Sequence, residues 1–301
     1  MRVGAVDCGT NSIRLLVADV SPGVDGAPAT LTDVVRRGEV VRLGQGVDAT
    51  GRIAPEAMER TVAASRDYAA LCAAHEVQEV RFVATSASRD AANASEFTTA
   101  VAEAFAAQGF TVTPEVISGE EEAHLSFLGA TGPLRARGVP GPFLVVDLGG
   151  GSTEFVLGDR EVAAARSVDL GSVRLTERHL HSDPPSPEEV LAASTDIDAG
   201  IDLAAQVVDL ASVTTLVGVA GTITTTMAHA LGLAAYDRAR LDEIARHRHS
   251  APDRLRRQLG AGADVVGRHR QLAPAAVGQI SDISRFTSGV SVGRFSFSTT
   301  P

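Results

Sequence analysis

The chain of 301 residues contains no lysine; each of its 27 basic side chains is an arginine. Any side-chain cation that meets an anion here is therefore Arg or His, and Arg offers a planar fork suited to bidentate binding of phosphate or carboxylate. Cysteine is nearly missing, with Cys8 and Cys72 only. Two thiols make no disulfide framework, which fits a reducing cytoplasm. No uninterrupted apolar run reaches the about 18 residues that a membrane span needs. The sequence opens directly on Val3-Gly4-Ala5-Val6, without the basic and apolar regions of a secretory signal. A cytoplasmic protein with no membrane partner is the expectation. The formal net charge of −10 argues against a nucleic-acid partner, since such proteins carry a basic surface. It leaves room for a small or linear polyanion in a locally basic cleft. Also missing are a Walker A sequence, a G-x-G-x-x-G following a strand, and a Ser-His-Asp order. Two H-x-H pairs occur, His179/His181 and His247/His249, but a zinc site requires further ligands at sensible spacing, and solvated histidines are expected.

What is present is a duplication. Asp7-Cys8-Gly9-Thr10-Asn11-Ser12 near the start and Asp147-Leu148-Gly149-Gly150-Gly151-Ser152 near the middle have the same plan. Each follows an apolar run and leads into another, reading as strand, tight polar turn, strand, with Asp at the end of the first strand. Glycines and small hydroxyl residues in such a turn leave backbone N–H groups free to converge on an anion, and the Asp can hold a divalent cation beside it. Aligning the copies sets Arg14 opposite Glu154. One hairpin thus brings a phosphate-pairing cation, the other an acidic group for a metal or a water. Two ordinary Gly-rich turns are the plainer reading, which the shared register opposes.

The remaining pattern is α/β. Strands are expected at Val3–Asp7, Ile13–Val20 and Leu31–Leu43, then a Gly-rich loop over Gly44–Gly51 and a helix from Pro55 to about His75. A strand at Val80–Ala84 leads through Thr85-Ser86-Ala87-Ser88-Arg89-Asp90 into one helix ending near Gln108-Gly109. A short strand at Val112–Ile117 precedes a further helix, and Thr131–Pro142, rich in Gly and Pro, reads as a hinge. The second half repeats the scheme, with a strand region at Arg160–Asp169, helices at Ser172–His181 and Pro187–Asp209, and a strand at Thr214–Val219 leading into a helix. Two domains are expected for this length, over 1–125 and 126–301. Beyond about residue 267 the periodicity fades into Arg, Ser, Thr and Gly.

Three further stretches carry chemistry. In Ser118-Gly119-Glu120-Glu121-Glu122-Ala123, acids at a helix start offset the dipole, and Ser118 with Glu121 fits a capping box. That leaves Glu122 as the candidate for catalysis and Glu120 as solvated. Ser86 and Arg89 sit where a strand ends and a helix begins, a place that favours anions; Ser88 as a plain N-cap is the alternative. Gly221-Thr222 repeats that geometry, with an ordinary strand-to-helix turn competing.

These blocks, together with Arg42-Leu43-Gly44-Gln45-Gly46-Val47 and Val219-Ala220-Gly221-Thr222, resemble the exopolyphosphatase/guanosine pentaphosphate phosphohydrolase (Ppx/GppA) family of the sugar kinase, Hsp70 and actin superfamily. The matching segments run in order from residue 3 to about 240. The resemblance implies two duplicated ribonuclease-H-like domains with an interdomain cleft, and hydrolysis of the terminal phosphate of inorganic polyphosphate. Guanosine pentaphosphate (pppGpp) is the alternative substrate, and a non-catalytic phosphate- or nucleotide-binding module the alternative role. It further implies Glu122 as the group activating water, and Asp147 and Glu154 as catalytic acids that hold Mg2+ (or Mn2+) together with Asp7. Thr10, Asn11, Ser12, Arg14, Ser86, Arg89, Gly150, Gly151, Ser152, Thr153, Gly221 and Thr222 would form the phosphate cradle, and a homodimer is expected. The length resembles the family's short form. From Arg268 onward the sequence departs from it, as a shifted reading frame would make it do, and poor packing is expected there.

Overall fold

The computed structural model describes residues 1–23, 30–230 and 232–233. The chain divides into two units, Met1–Ser118 and Gly119–Pro301. The expectation for the segment beyond residue 267 concerns residues outside those described, as does the pair His247/His249.

In the first unit β1 (Arg2–Cys8), β2 (Ser12–Ser21) and β3 (Thr30–Val40) form an antiparallel run. After the single turn α1 (Val47–Thr50), the long α2 (Pro55–Ala74) returns the chain to β4 (Glu79–Ala84), parallel to β1. The helices α3 (Ser86–Asp90) and α4 (Ala94–Ala106) then precede the edge strand β5 (Glu115–Val116), giving the order β3-β2-β1-β4-β5. Alternate residues of β1 are buried: Val6 and Cys8 join the core while Ala5 and Asp7 face out, the period-2 pattern of a strand with one covered face. That core takes in Ile13, Leu15 and Val17 of β2, Tyr68 and Cys72 of α2, and Phe97 and Phe105 of α4. Phe82 of β4 lies fully buried at its centre, edge-to-face with Phe97 and Phe105. Replacing Phe82 with Ala is expected to cost this unit about 3–5 kcal/mol, read as a lower denaturation midpoint with an unchanged m-value.

Three expectations are corrected here. The single helix expected up to Gln108-Gly109 is two, because the side-chain amide of Asn93 leaves the helix to bond the N–H and C=O of Ile53 at 2.9 and 3.0 Å. The third strand stops at Val40 rather than Leu43; Val41 and Arg42 donate instead to Asn11 O, and Arg42 takes φ 51. The expected strand Val112–Ile117 pairs only over Glu115–Val116.

The second unit opens with α5 (Gly119–Ala136), followed by β6 (Phe143–Leu148), β7 (Thr153–Gly158) and β8 (Val162–Val168). Helices α6 (Ser172–His179) and α7 (Pro187–Ala205) precede β9 (Thr215–Val219), which runs parallel to β6 and enters α8 (Ala220–Ala230). The order β8-β7-β6-β9 repeats β3-β2-β1-β4 of the first unit, with the same parallel and antiparallel senses. Here both faces are covered. Phe143, Val145 and Val156 pack under Ala123, Phe127 and Leu134 of α5, whereas Leu144, Phe155 and Leu157 pack against Leu170, Ala204 and Val208. Every residue of β7 is accordingly buried. The hinge expected over Thr131–Pro142 is overturned in its first half. The helix α5 runs through Pro133 to Ala136, because Thr131 and Leu134 are buried and anchor it on the sheet.

Candidate active site

Both hairpins close in the same way. Gly9 N donates to Ser12 O at 2.9 Å, and Gly149 N to Ser152 O at 3.0 Å. The register pairs Asp7 with Arg14 across β1 and β2, and Asp147 with Glu154 across β6 and β7. The equivalence read from the sequence therefore holds residue for residue, with charge reversed at one of the two places.

In the second unit three carboxylates gather at the end of β6. Glu154 is buried, 1% exposed, and accepts a hydrogen bond from Ser167 Oγ at 2.8 Å. Burial first, then the neighbouring Glu122 and Asp147, push its carboxyl up to about 8, against the opposing hydrogen bonds from Ser167 and Ser152. Glu122 lies one turn before Ser126 on α5, and Ser126 Oγ donates to Asp147 Oδ2 at 2.6 Å. A single helix face thus supplies both Glu122 and the hydroxyl that fixes Asp147. Glu120 and Glu121 are exposed, while Glu122 is half-buried. Beside the acids runs the loop Gly149-Gly150-Gly151-Ser152, and Thr153 Oγ1 donates to Leu170 O at 2.8 Å. Ala220, Gly221 and Thr222 open α8 immediately after β9, where Val219 pairs with Asp147, and Ala220 takes φ 74. A non-Gly residue there is strained, and such strain gathers at functional turns.

In the first unit Thr10, Asn11 and Ser12 form the matching turn. Arg14 Nη1 stands 3.9 Å from Asp7 Oδ2, a long pair, and Arg14 Nε is buried without a hydrogen-bond partner. Ser86 opens α3 beside the end of β1, since Thr85 N donates to Cys8 O. Arg89 Nη1 donates to Ile117 O at 3.0 Å. Ser88 is no N-cap: it lies inside α3, 1% exposed, with Oγ unpartnered.

Among the described residues no three His, Cys, Asp or Glu side chains gather as a metal cage. Mg2+ seldom uses one; it keeps waters and takes one or two carboxylates plus substrate phosphates. Asp147 and Glu154, paired across the hairpin and mutually repelling, fit that mode. His179 is not a solvated histidine, since its Nε2 lies 3.0 Å from Asp196 Oδ2, joining α6 to α7. Ser126, Ser167 and Arg174 were not singled out by the sequence; a side chain that holds another leaves no local motif.

Two repeated α/β units, each with a small-residue turn and a strand-to-helix junction beside it, make up the duplicated ribonuclease-H-like fold expected from the sequence. The chain belongs to the Ppx/GppA phosphatase family, whose model matches residues 16–251. The exopolyphosphatase 2 of Mycobacterium tuberculosis is 53% identical over 238 residues, covering 79% of this chain and 73% of that protein. The guanosine-5'-triphosphate,3'-diphosphate pyrophosphatase of Vibrio cholerae is 34% identical over 58% of this chain and 33% of its own length. The crystal structure of an exopolyphosphatase-like protein matches with TM-score 0.72 and 40% identity, covering 95% of this chain and 91% of that one. The Aquifex aeolicus PPX-GPPA enzyme matches at 0.62 and 30%, covering 95% and 93%. No described helix is long and apolar enough to cross a membrane.

Proposed function

We propose that this protein is a cytoplasmic exopolyphosphatase that removes the terminal phosphate from inorganic polyphosphate. The observation that carries the reading is the gathering of Glu122, Asp147 and the buried Glu154 beside the glycine-rich turn of the second unit. Its strongest support from relatives is the 53% identity to a protein named exopolyphosphatase 2. Hydrolysis of a phosphoanhydride spreads charge over the equatorial oxygens of the departing phosphoryl group, so catalysis is mostly position and field. The N–H groups of Gly150, Gly151 and Ser152 are the donors for those oxygens. Glu122 orients the attacking water and takes its proton. Asp147, steadied by Ser126, and Glu154, steadied by Ser167, would hold Mg2+, which supplies positive charge to the phosphate oxygens when bound. The turn of the first unit has phosphate-binding groups of its own, Arg14 with its orphaned Nε and the hydroxyls of Thr10, Ser12 and Ser86.

The test compares phosphate release from long-chain polyphosphate and from guanosine pentaphosphate, with Mg2+ and with a chelator. Metal-dependent release from polyphosphate at the higher kcat/KM is expected. A higher kcat/KM for guanosine pentaphosphate would reassign the substrate. Release from neither would leave a binding module.

A further inference from the structure

We propose that Arg174 is a positioning residue that aims the glycine-rich turn of the second unit at the phosphate; this rests on the reading just given. It lies on α6, is only 9% exposed, and its Nε donates to Gly151 O at 2.7 Å. Its backbone acts on the same turn. Ser172 N donates to Gly149 O at 3.1 Å, and Val173 N and Arg174 N donate to Gly150 O at 2.9 and 3.1 Å. The carbonyls of three successive residues are thus captured by one turn of helix. In a planar trans peptide the C=O and the following N–H point in opposite directions. Fixing the carbonyls of Gly149, Gly150 and Gly151 on α6 therefore turns the N–H groups of Gly150, Gly151 and Ser152 away from it. None of these three donates to a backbone carbonyl across the turn, and three successive amides so aligned make an anion-binding concavity. Glycines, which have many conformations to lose, would not hold this arrangement unaided.

The first unit shows independently that this bracing is part of the design. There Gly44 N donates to Thr10 O at 2.8 Å, and Val41 N and Arg42 N donate to Asn11 O at 3.0 and 2.9 Å. By the alignment of the two turns, Thr10 corresponds to Gly150 and Asn11 to Gly151. Both corresponding carbonyls are captured in each unit. In the second unit, however, no backbone N–H of the described residues reaches Gly151 O, and the Arg174 side chain takes over that duty. A second feature holds the helix against the turn. A Cβ on Gly171 would collide with the backbone of Gly150 and Gly151. Gly171 has φ −162, which any residue can adopt, so its need for glycine is one of space alone.

Two substitutions attack this bracket by different routes: Arg174→Ala removes the donor, and Gly171→Ala wedges α6 off the turn. The measurements are kcat and KM on polyphosphate, the affinity for inorganic phosphate by calorimetry, and Tm. Both variants are expected to raise KM and weaken phosphate binding about 10–100-fold, with a smaller fall in kcat, since misplacing a positioned group by an ångström is costly. Millimolar guanidinium should restore Arg174→Ala but not Gly171→Ala, whereas sodium chloride at equal ionic strength restores neither. Unchanged KM and phosphate affinity in either folded variant would overturn the proposal, and so would a loss in Arg174→Ala that guanidinium leaves untouched. If Arg174→Ala fails to fold, Gly171→Ala decides alone. Should the wild type neither release phosphate from polyphosphate nor bind phosphate, the functional reading fails; a wild type that does both beside unaffected variants sinks only the bracket.

Discussion

Replacing Glu122 with Gln is expected to lower kcat on polyphosphate about 10²–10⁴-fold while KM stays nearly unchanged, the range that one positioned general base contributes. Gln preserves the size and the hydrogen-bonding reach of Glu122 but cannot accept a proton from water at neutral pH. The half-buried position on α5, one turn before the Ser126 that grips Asp147, fixes the side chain relative to the other two acids without committing it to the core. Steady-state kinetics with long-chain polyphosphate decides. A rise in KM at unchanged kcat would move Glu122 from the chemistry to substrate binding. An unaltered kcat and KM would remove it from the site altogether.

Glu154→Gln is expected to stabilise the folded chain while abolishing its activity. Burial and the adjacent Glu122 and Asp147 raise the Glu154 carboxyl from its ordinary value of 4.5 to about 8. A carboxyl raised in the folded state binds its proton more tightly there than in the unfolded chain. Its contribution to stability is therefore complete below pH 4.5 and is lost as the pH climbs through about 8. Above that, the wild type holds a charge in a buried place beside two others. Gln keeps the shape and carries no charge. At pH 9 the variant should melt about 5 °C or more above the wild type, and the two should converge below about pH 5. Excess Mg2+ should narrow the gap by stabilising the wild type selectively. A wild type more stable than the variant at pH 9, or a gap independent of pH, would defeat this account. The outcome expected is the trade of stability against function that charged active sites exhibit.

Much of this arrangement is legible in the sequence because it is local. Asp7 and Asp147 stand one residue before the ends of their strands, where apolar runs break into glycine and hydroxyl residues, and those breaks are the turns themselves. The α/β duplication follows from the shared register of the two turns and their flanks. Glu122 is legible through the helix start that precedes it. Composition misleads at Thr131–Pro142, where Gly and Pro suggest a hinge but the burial of Thr131 and Leu134 holds a helix together. It misleads again near Asn93, whose amide is spent on a segment 40 residues earlier. Arg174 is illegible for the same reason: the carbonyl it serves lies 23 residues away, and an arginine on a short helix reads as surface. What the sequence pattern conveys is strand, turn and helix start; what it hides is every side chain whose duty is to another segment's backbone.

Among the described residues the apolar core that holds Phe82 in the first unit shares no member with the two that hold Val145 and Leu157 in the second. Buried apolar contact stabilises only the side chains that share it, so a cavity in one of these cores weakens first the elements that line it. A lesion at Phe82 acts first on the packing of β4 against α4, whereas the relief of charge in Glu154→Gln acts first on the sheet of the second unit, where β6 and β7 meet.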